Sequence, residues 1–423
     1  MRQVRWSVLG CCLFTLWFSR SVTAQSPPPD QVTIDQAVQE AMDKNLSLLA
    51  ERYNLAIADA QLITARLRPN PVLTLGASFP DQQIFHSGTS PYDESAHIDF
   101  VFERGGKREY RMAVAENARA VKQLELLNTI RTLVLDVQNA CVEVLLAKAN
   151  LSLARENLQA FNAIVDVNTS RVRAGDLAPV ELERTRLASL QFQNTVRQSE
   201  SQFVTATNQL QTLLGRTTRS PAFTVIGELR RDQQPLVRAD IQQQALALRP
   251  DLLALRREQA RSAADLRLQI AQGKVDYTIG AEFHRQQGNV KAGNLYGLTF
   301  SAPIPVFNRN QGEIERAQRE QDQIRAKIAA LENDIQTEVQ NAYAQYTAAR
   351  DVLQRIETNM LDRSREVRQT IEYSYRRGQA SFLEFLDAQR AFNDTMQSYN
   401  EARADYARSL YRIEAVMGKG GWG

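Results

Sequence analysis

The chain has 423 residues, 43% of them hydrophobic and 23% charged, enough to bury a sizeable core and long enough for two or three domains. The formal charge is +3, but Met1–Ala24 holds Arg2, Arg5 and Arg20 and no acid, so the remainder is neutral, with 48 basic against 48 acidic residues. That balance gives no global case for nucleic acid as a partner, and the scarcity of Gly (19) and Pro (13) favours a mainly helical protein.

In chain order, 1–24 reads as a secretory signal peptide. Arg2 and Arg5 form its charged start, Val8–Phe18 its apolar middle and Val22-Thr23-Ala24 its small-residue cleavage site. The apolar run is too short to span a bilayer. Val8-Leu9-Gly10-Cys11 has some likeness to a lipidation signal, but the apolar stretch before Cys11 is brief. Cleavage after Ala24 would remove Cys11 and Cys12 and leave Cys141, which cannot form an internal disulfide alone. Cys141 sits in an apolar helical stretch and reads as a buried bystander.

Helices are expected at about Thr33–Arg68. A strand follows, with Leu73, Leu75, Ala77 and Phe79 alternating with Val72, Thr74, Gly76 and Ser78. A polar loop, Pro80–Glu94, leads to a second strand through Ile98, Phe100 and Phe102. Lys107–Ala174 then contains neither Gly nor Pro and reads as one very long helix. At 1.5 Å per residue it reaches roughly 100 Å, more than a compact globule needs. Val134, Val137, Cys141, Val144 and Leu145 supply an apolar stripe at helical spacing, as in a coiled-coil-like wall. Gly175 ends the run, and Val180–Leu214 continues as a returning helix, so the pair reads as a helical hairpin.

The chain then repeats itself. TLGASF at 74–79 returns as TIGAEF at 278–283, Leu48-Leu49-Ala50 as Leu252-Leu253-Ala254, and Arg173-Ala174-Gly175 as Arg376-Arg377-Gly378. Each copy spans about 200 residues, too long a period for a solenoid and right for a duplicated domain. The expected division is a first unit at 25–215, a connection at 216–238, a second unit at 239–417 and a tail at 418–423. The second unit again has opening helices (about Ala239–Gln272), two strands (Tyr277–Phe283 and Tyr296–Ile304) joined by Gln286–Asn294, a long Gly- and Pro-free helix (Glu313–Arg377), Gly378, and a returning helix (Gln379–Met417).

Each copy therefore offers two strands of about ten residues, the length that crosses a bilayer when tilted. Four strands cannot close a barrel, and open sheet edges are not tolerated in lipid. On a membrane reading several chains must share one barrel; an ordinary half-buried sheet is the competing reading.

TIDQAVQEAMDKN, RPNPVLTL and FERGGKRE in the first copy, and ALRPDLLALR, APIPVFNRNQGEIERA and YRRGQASFLEFLDAQRAF in the second, resemble in this order and spacing the TolC-like outer-membrane efflux channels. APIPVFNRNQGEI resembles the branch serving heavy-metal efflux pumps. The resemblance implies a homotrimer with a shared twelve-stranded β-barrel in the outer membrane of a Gram-negative bacterium and a tunnel of long helical hairpins across the periplasm. It implies as partners a periplasmic adaptor (membrane fusion) protein, an inner-membrane pump of the RND type and outer-membrane lipid. The 216–238 connection would join a small equatorial region.

No catalytic constellation is present and no cofactor is implied. GGKR at Gly105–Arg108 lacks the earlier Gly and the Ser or Thr of a phosphate loop and reads as a strand-to-helix turn. His86, His97 and His284 show no paired ligand spacing and read as surface or lumen histidines, not a metal site. The resemblance assigns acids just beyond each tip glycine to the periplasmic mouth, which here are Glu181, Glu384 and Asp387; the alternative is that they lie on solvated helix faces. Ala380 stands where some members carry an arginine that ties the mouth shut, with Arg376 and Arg377 as substitutes. Arg173, Gly175, Arg376 and Gly378 mark the tips expected to dock the adaptor. The expected function is a passive exit duct driven by a partner pump, for divalent heavy-metal cations or organic compounds. The rival is an exported coiled-coil scaffold without a pore.

Overall fold

A computed structural model describes residues 30–78, 92–232, 236–287 and 293–419. The signal segment, the loop from Pro80 to Pro91, Phe79, His86 and Cys11 lie outside the described residues.

Strand β1 (Gln31–Val32) leads into α1 (Ile34–Lys44) and α2 (Leu46–Arg66). A capping box starts α1: the Gln36 amide donates to Thr33 Oγ1 at 3.2 Å, and the Thr33 amide donates to Gln36 Oε1 at 2.9 Å. The expected helical run Thr33–Arg68 is divided into two helices at Asn45. Asn45 is extended (ψ 123) and accepts the Leu48 amide at 3.0 Å, so it ends one helix and caps the next. The second copy breaks at the equivalent place, between α5 (Arg238–Leu248) and α6 (Pro250–Gln272). There Pro250 forces Arg249 out of the helical region.

The strands are β2 (Val72–Ser78) and β3 (Tyr92–Phe102) in the first half and β5 (Tyr277–Gln287) and β6 (Gly293–Ser301) in the second, with β4 (Thr224–Val225) pairing β1 in parallel. The four long strands form one antiparallel sheet in the order β2-β3-β5-β6. Strands β3 and β5 reach further into the expected loops than the alternation indicated. Strand β6 stops at Ser301, so Ala302–Ile304 are not strand: Pro303 and Pro305 cannot donate to a ladder.

Helix α3 (Lys107–Ala174) matches the expected run residue for residue and returns through α4 (Pro179–Leu213). At 1.5 Å per residue it is about 100 Å long. In the second half the long run is interrupted: α7 (Gln311–Arg355) passes through a π-helical turn, Ile356–Met360, into α8 (Leu361–Arg376), and α9 (Phe382–Val416) returns. Ile356 and Leu361, five residues apart, both face the core. An α-helix would turn the second away, whereas the wider turn restores its phase. Glu357 within it is clamped by Arg231, with Nη1 donating to Oε1 at 3.0 Å and Nη2 to Oε2 at 2.8 Å.

The two halves build equivalent cores. Ala37, Ala41 and Leu48 are buried among Val134, Val137, Cys141 and Val144, and their repeat counterparts Ile241, Ala245 and Leu252 among Ile335, Val339 and Ala342. Each fully buried large aliphatic contributes about 1.5–3 kcal/mol. Helix α3 also packs against α6 and α9, so the halves share a seam. Amide rungs cross it: Asn400 Nδ2 donates to Asn150 Oδ1, and Gln389 Nε2 to Asn157 Oδ1, each at 3.0 Å.

Candidate functional site

Two places concentrate polar chemistry: the hairpin tips and one face of the sheet. Both tips close with the same backbone motif. At the first, the Gly175 amide donates to Val172 O (3.1 Å) and the Asp176 amide to Arg171 O (2.8 Å). At the second, the Gly378 amide donates to Tyr375 O and the Gln379 amide to Ser374 O, both at 2.9 Å. The motif needs a left-handed residue, supplied by Gly175 (φ 82) and Gly378 (φ 78).

Beneath the glycines the hairpins are bolted together. Phe161, Ile164, Ala188, Tyr375 and Phe385 form one cluster, with Tyr375 stacked on Phe385 at 5.1 Å between ring centroids. Asn168, fully buried, donates to Thr185 Oγ1 (2.8 Å) and to the Tyr375 hydroxyl (2.7 Å). Arg171 reaches across to Tyr375 O at 3.5 Å. Sequence reasoning missed this joint. Its signal was a polar Asn168 continuing the apolar stripe of Phe161 and Ile164 at helical spacing.

The residues expected at the mouth differ among themselves. Glu384 is the third residue of a capping box that starts α9: its Oε2 accepts from the Ser381 amide (2.7 Å) and hydroxyl (2.9 Å), and its own amide donates to Ser381 Oγ (3.2 Å). The Ser381 hydrogen bonds hold its carboxyl below the usual carboxylate range. Glu181 accepts from Arg184 Nη1 at 2.9 Å. Asp387 is exposed on α9, one turn beyond Glu384. At the tips, Arg173 and Arg376 are exposed, and Arg376 Nη2 pairs with Glu372 at 2.8 Å. Arg377 lies over the Tyr373 ring at 4.5 Å.

The sheet is two-faced. The register puts Leu73, Ile98, Ala281 and Leu298 in one row, Phe100, Ile279 and Phe300 in the next, and Leu75, Ala96, Phe283 and Tyr296 in a third. This face is bare: Leu298 is 86% and Leu75 72% exposed. A sheet packed on its own core would bury them. The other face carries Asp93, His97, Asp99, Glu282 and His284, with His97 Nε2 2.7 Å from Asp99 Oδ1. The two histidines, far apart in sequence, are brought to neighbouring positions by the β3–β5 pairing. Alternation alone could assign their face but not that pairing.

At the sheet's base the GGKR segment is a strand-to-helix turn. Gly105 (φ 77) and Gly106 (φ 74) are both left-handed, and Lys107 Nζ is tied to Asp276 at 2.7 Å and to Lys274 O at 2.8 Å. Among the described residues no helix is long and apolar enough to cross a membrane, and no three His, Cys, Asp or Glu side chains converge on one metal position.

Paired long hairpins joined to a four-stranded sheet with one polar and one bare apolar face are the build of a channel subunit of the helical-tunnel class. The chain belongs to the outer membrane efflux protein family, whose model matches residues 37–216 and again 241–419. It is 23% identical to the cobalt-zinc-cadmium resistance protein CzcC of Cupriavidus metallidurans, over 92% of this chain and 90% of that protein. It is also 23% identical to the pyoverdine export outer membrane protein OpmQ of Pseudomonas putida, over 96% of this chain and 91% of that one. Its fold is that of the crystal structures of CusC, with a TM-score of 0.76 at 18% identity, covering 91% of this chain and 92% of that one.

Proposed function

We propose that the chain is the outer-membrane exit duct of a tripartite efflux system, a passive channel and not an enzyme. The observation that carries this is the sheet. Its four strands expose a continuous apolar face, and β2 and β6 each leave an outer edge unpaired among the described residues. Such edges are stable in lipid only when other strands close them. Three copies would give a twelve-stranded barrel, with the units 25–215 and 239–417 alternating around it and 216–238 at the equator. The same face argues against a pore-free scaffold, which has no use for bare Leu298 and Phe300.

In this reading the hairpins cross the periplasm. The tips around Arg173, Gly175, Arg376 and Gly378 dock a periplasmic adaptor, and an inner-membrane pump of the RND type supplies the energy. Glu181, Glu384 and Asp387 line the mouth, where rings of carboxylates would favour cations. Asp387 is the strongest of the three, because Glu181 and Glu384 already have local partners.

The cargo we favour is divalent heavy-metal cations, supported by the similarity to CzcC over nearly the whole chain. A second reading, efflux of organic compounds, is supported by the equal identity to OpmQ. Deletion of the gene, followed by growth on graded divalent metals and on a panel of antibiotics and dyes, separates them. Sensitivity confined to metals supports the first; sensitivity to organic compounds alone removes it and keeps the duct.

A further inference from the structure

The polar face of the sheet holds three carboxylates and two imidazoles in an unusual order. Along one line run Asp99, His97, Glu282, His284 and Asp93. The separations are His97 Nε2 to Asp99 Oδ1 2.7 Å, His97 Nδ1 to Glu282 Oε2 3.8 Å, His284 Nε2 to Glu282 Oε2 3.5 Å, and His284 Nδ1 to Asp93 Oδ2 3.4 Å. Both nitrogens of both rings therefore face a carboxylate oxygen. A neutral imidazole has only one N–H. On each ring one nitrogen then opposes an acceptor with its own lone pair, unless a second ring proton or a metal cation lies between them.

We propose that Asp99, His97, Glu282, His284 and Asp93 form a ladder of weak contact points for divalent cations of the zinc, cobalt, nickel or copper kind. Imidazole nitrogen suits these ions, and carboxylate oxygen serves beside it as a zinc ligand. An ion about 2.1 Å from each of two such donors, at a tetrahedral angle, sets them about 3.4 Å apart. Three of the four spacings lie between 3.4 and 3.8 Å, near that bite and long for a direct hydrogen bond.

The backbone is shaped to carry the row. Gly280 lies opposite Asp99, and a Cβ there would come within 2.9 Å of His97 Nε2 and 2.5 Å of Asp99 Oδ1. Gly297 lies opposite Glu282, and a Cβ there would meet the Glu282 side chain. The two glycines let these side chains lie flat across the sheet. This also accounts for one half of the repeated TIGAEF phrase: its Gly280 makes room for the ladder, as Gly76 makes room for Ser95.

Since no three of these groups converge on one point, each contact is made by two donors and is weak. A conducting pathway needs that, because tight binding in a single closed site would arrest the ion. From Asp93 to Asp99 the row covers about 20 Å along the strand, which at a tilt of about 45° spans about half of the hydrocarbon core. The assignment rests on the reading of this face as the lumen of a duct.

Two measurements on the full-length protein, purified in detergent without a polyhistidine tag, test it. The first is Cu2+ electron paramagnetic resonance. Wild type and a His86→Gln control should show nitrogen coupling from bound imidazole, and His97→Gln/His284→Gln should lose it, with at least a tenfold weaker apparent affinity. A wild-type spectrum without nitrogen coupling, or one unchanged in the double variant, overturns the ladder. The second is conductance in planar bilayers. Zn2+ permeability relative to K+ should fall several-fold in the double variant and in Glu282→Gln, with K+ conductance kept. Channels that conduct with an unchanged ratio remove the ladder and leave the duct standing. A wild type that forms no channel removes the duct reading, and the spectrum then decides metal binding by itself.

Discussion

The Asn168 side-chain amide of the first hairpin donates to the Tyr375 hydroxyl of the second at 2.7 Å, across 207 residues of sequence. The bond lies seven residues before one tip glycine and three before the other, so it couples the two tips directly. Asn168 Oδ1 has no partner among the described groups, and its amide is the only end that is satisfied. Tyr375→Phe should cost about 1 kcal/mol, and Asn168→Ala more, because it removes the bonds to both Tyr375 and Thr185 and leaves Thr185 only its bond to Glu181 O. Hydrogen exchange checks this: amides in 161–175 and 371–385 should exchange faster in both variants, with the cores around Val137 and Val339 unchanged.

The tip glycines should be intolerant of side chains without being needed for the rest of the fold. Gly175→Val and Gly378→Val each place a branched residue in left-handed backbone, at about 1–2 kcal/mol. Gly378 is the tighter of the two, since a Cβ there comes within 3.1 Å of Arg171 Nη2, whereas Gly175 has open space. The expected result is loss of adaptor pull-down and of resistance, with the far-ultraviolet circular dichroism and oligomer size retained. Normal resistance in Gly378→Val would argue against docking at that tip.

Glu384 should report acid as a helix cap. Its carboxyl titrates below the usual value of about 4.3 because Ser381 donates two hydrogen bonds to the ionised form. A depressed carboxylate contributes stability that is present above its unfolded-state value and lost as pH falls through the folded one. The first turn of α9 should therefore fray only in that acidic window. Ser381→Ala should fray it at neutral pH, at about 1 kcal/mol. Amide exchange of residues 382–386 against pH measures both. Glu384→Gln with Asp387→Asn should also lower cation preference in single channels, with Asp387→Asn alone giving most of the change.

Arg249 is nearly completely buried and joins Asp251 (2.6 Å) and Glu338, beside Arg131, which donates to Ala415 O at 2.8 Å. Burial pushes the Asp251 carboxyl up, but the Arg249 guanidinium prevails and holds it below its ordinary value. Arg249→Met removes the nearer countercharge of Asp251 and leaves Arg131 at 3.8 Å, and it should cost about 3 kcal/mol, the lower end for breaking a buried pair. A lowered thermal midpoint is the expected reading, and the added variant Asp251→Asn should recover part of it.

How much of this was legible in the sequence depended on the range of the interaction. Helix α3 could be read to the residue, because the absence of Gly and Pro from Lys107 to Ala174 is a local fact and Gly175 a local stop. Strand faces were legible because alternation is local too. The π-helical turn was not: Ile356 and Leu361 look out of phase until the core they share is known. The His97–His284 neighbourhood was hidden for the same reason, since it arises from a pairing between the two copies. Glu384 was read as a mouth acid from its place beyond the glycine. Its capping role is carried by Ser381-x-x-Glu384, a local pattern legible without the rest of the fold.

The π-helical turn makes the two halves of the chain unequal at one height. Helix α3 passes its corresponding stretch without interruption, whereas the run from α7 to α8 takes up an extra fraction of a turn, held by Arg231 on Glu357. A ring of six identical single-unit chains would carry such an irregularity in every wall or in none. Two units within one chain are free of that constraint, because each half carries its own sequence and only one of them need hold the wider turn. Around a closed assembly of three such chains the irregularity would recur every 120° and not every 60°. A partner gripping the wall at that level would then find three equivalent footholds, although the helices on either side would still count as twelve.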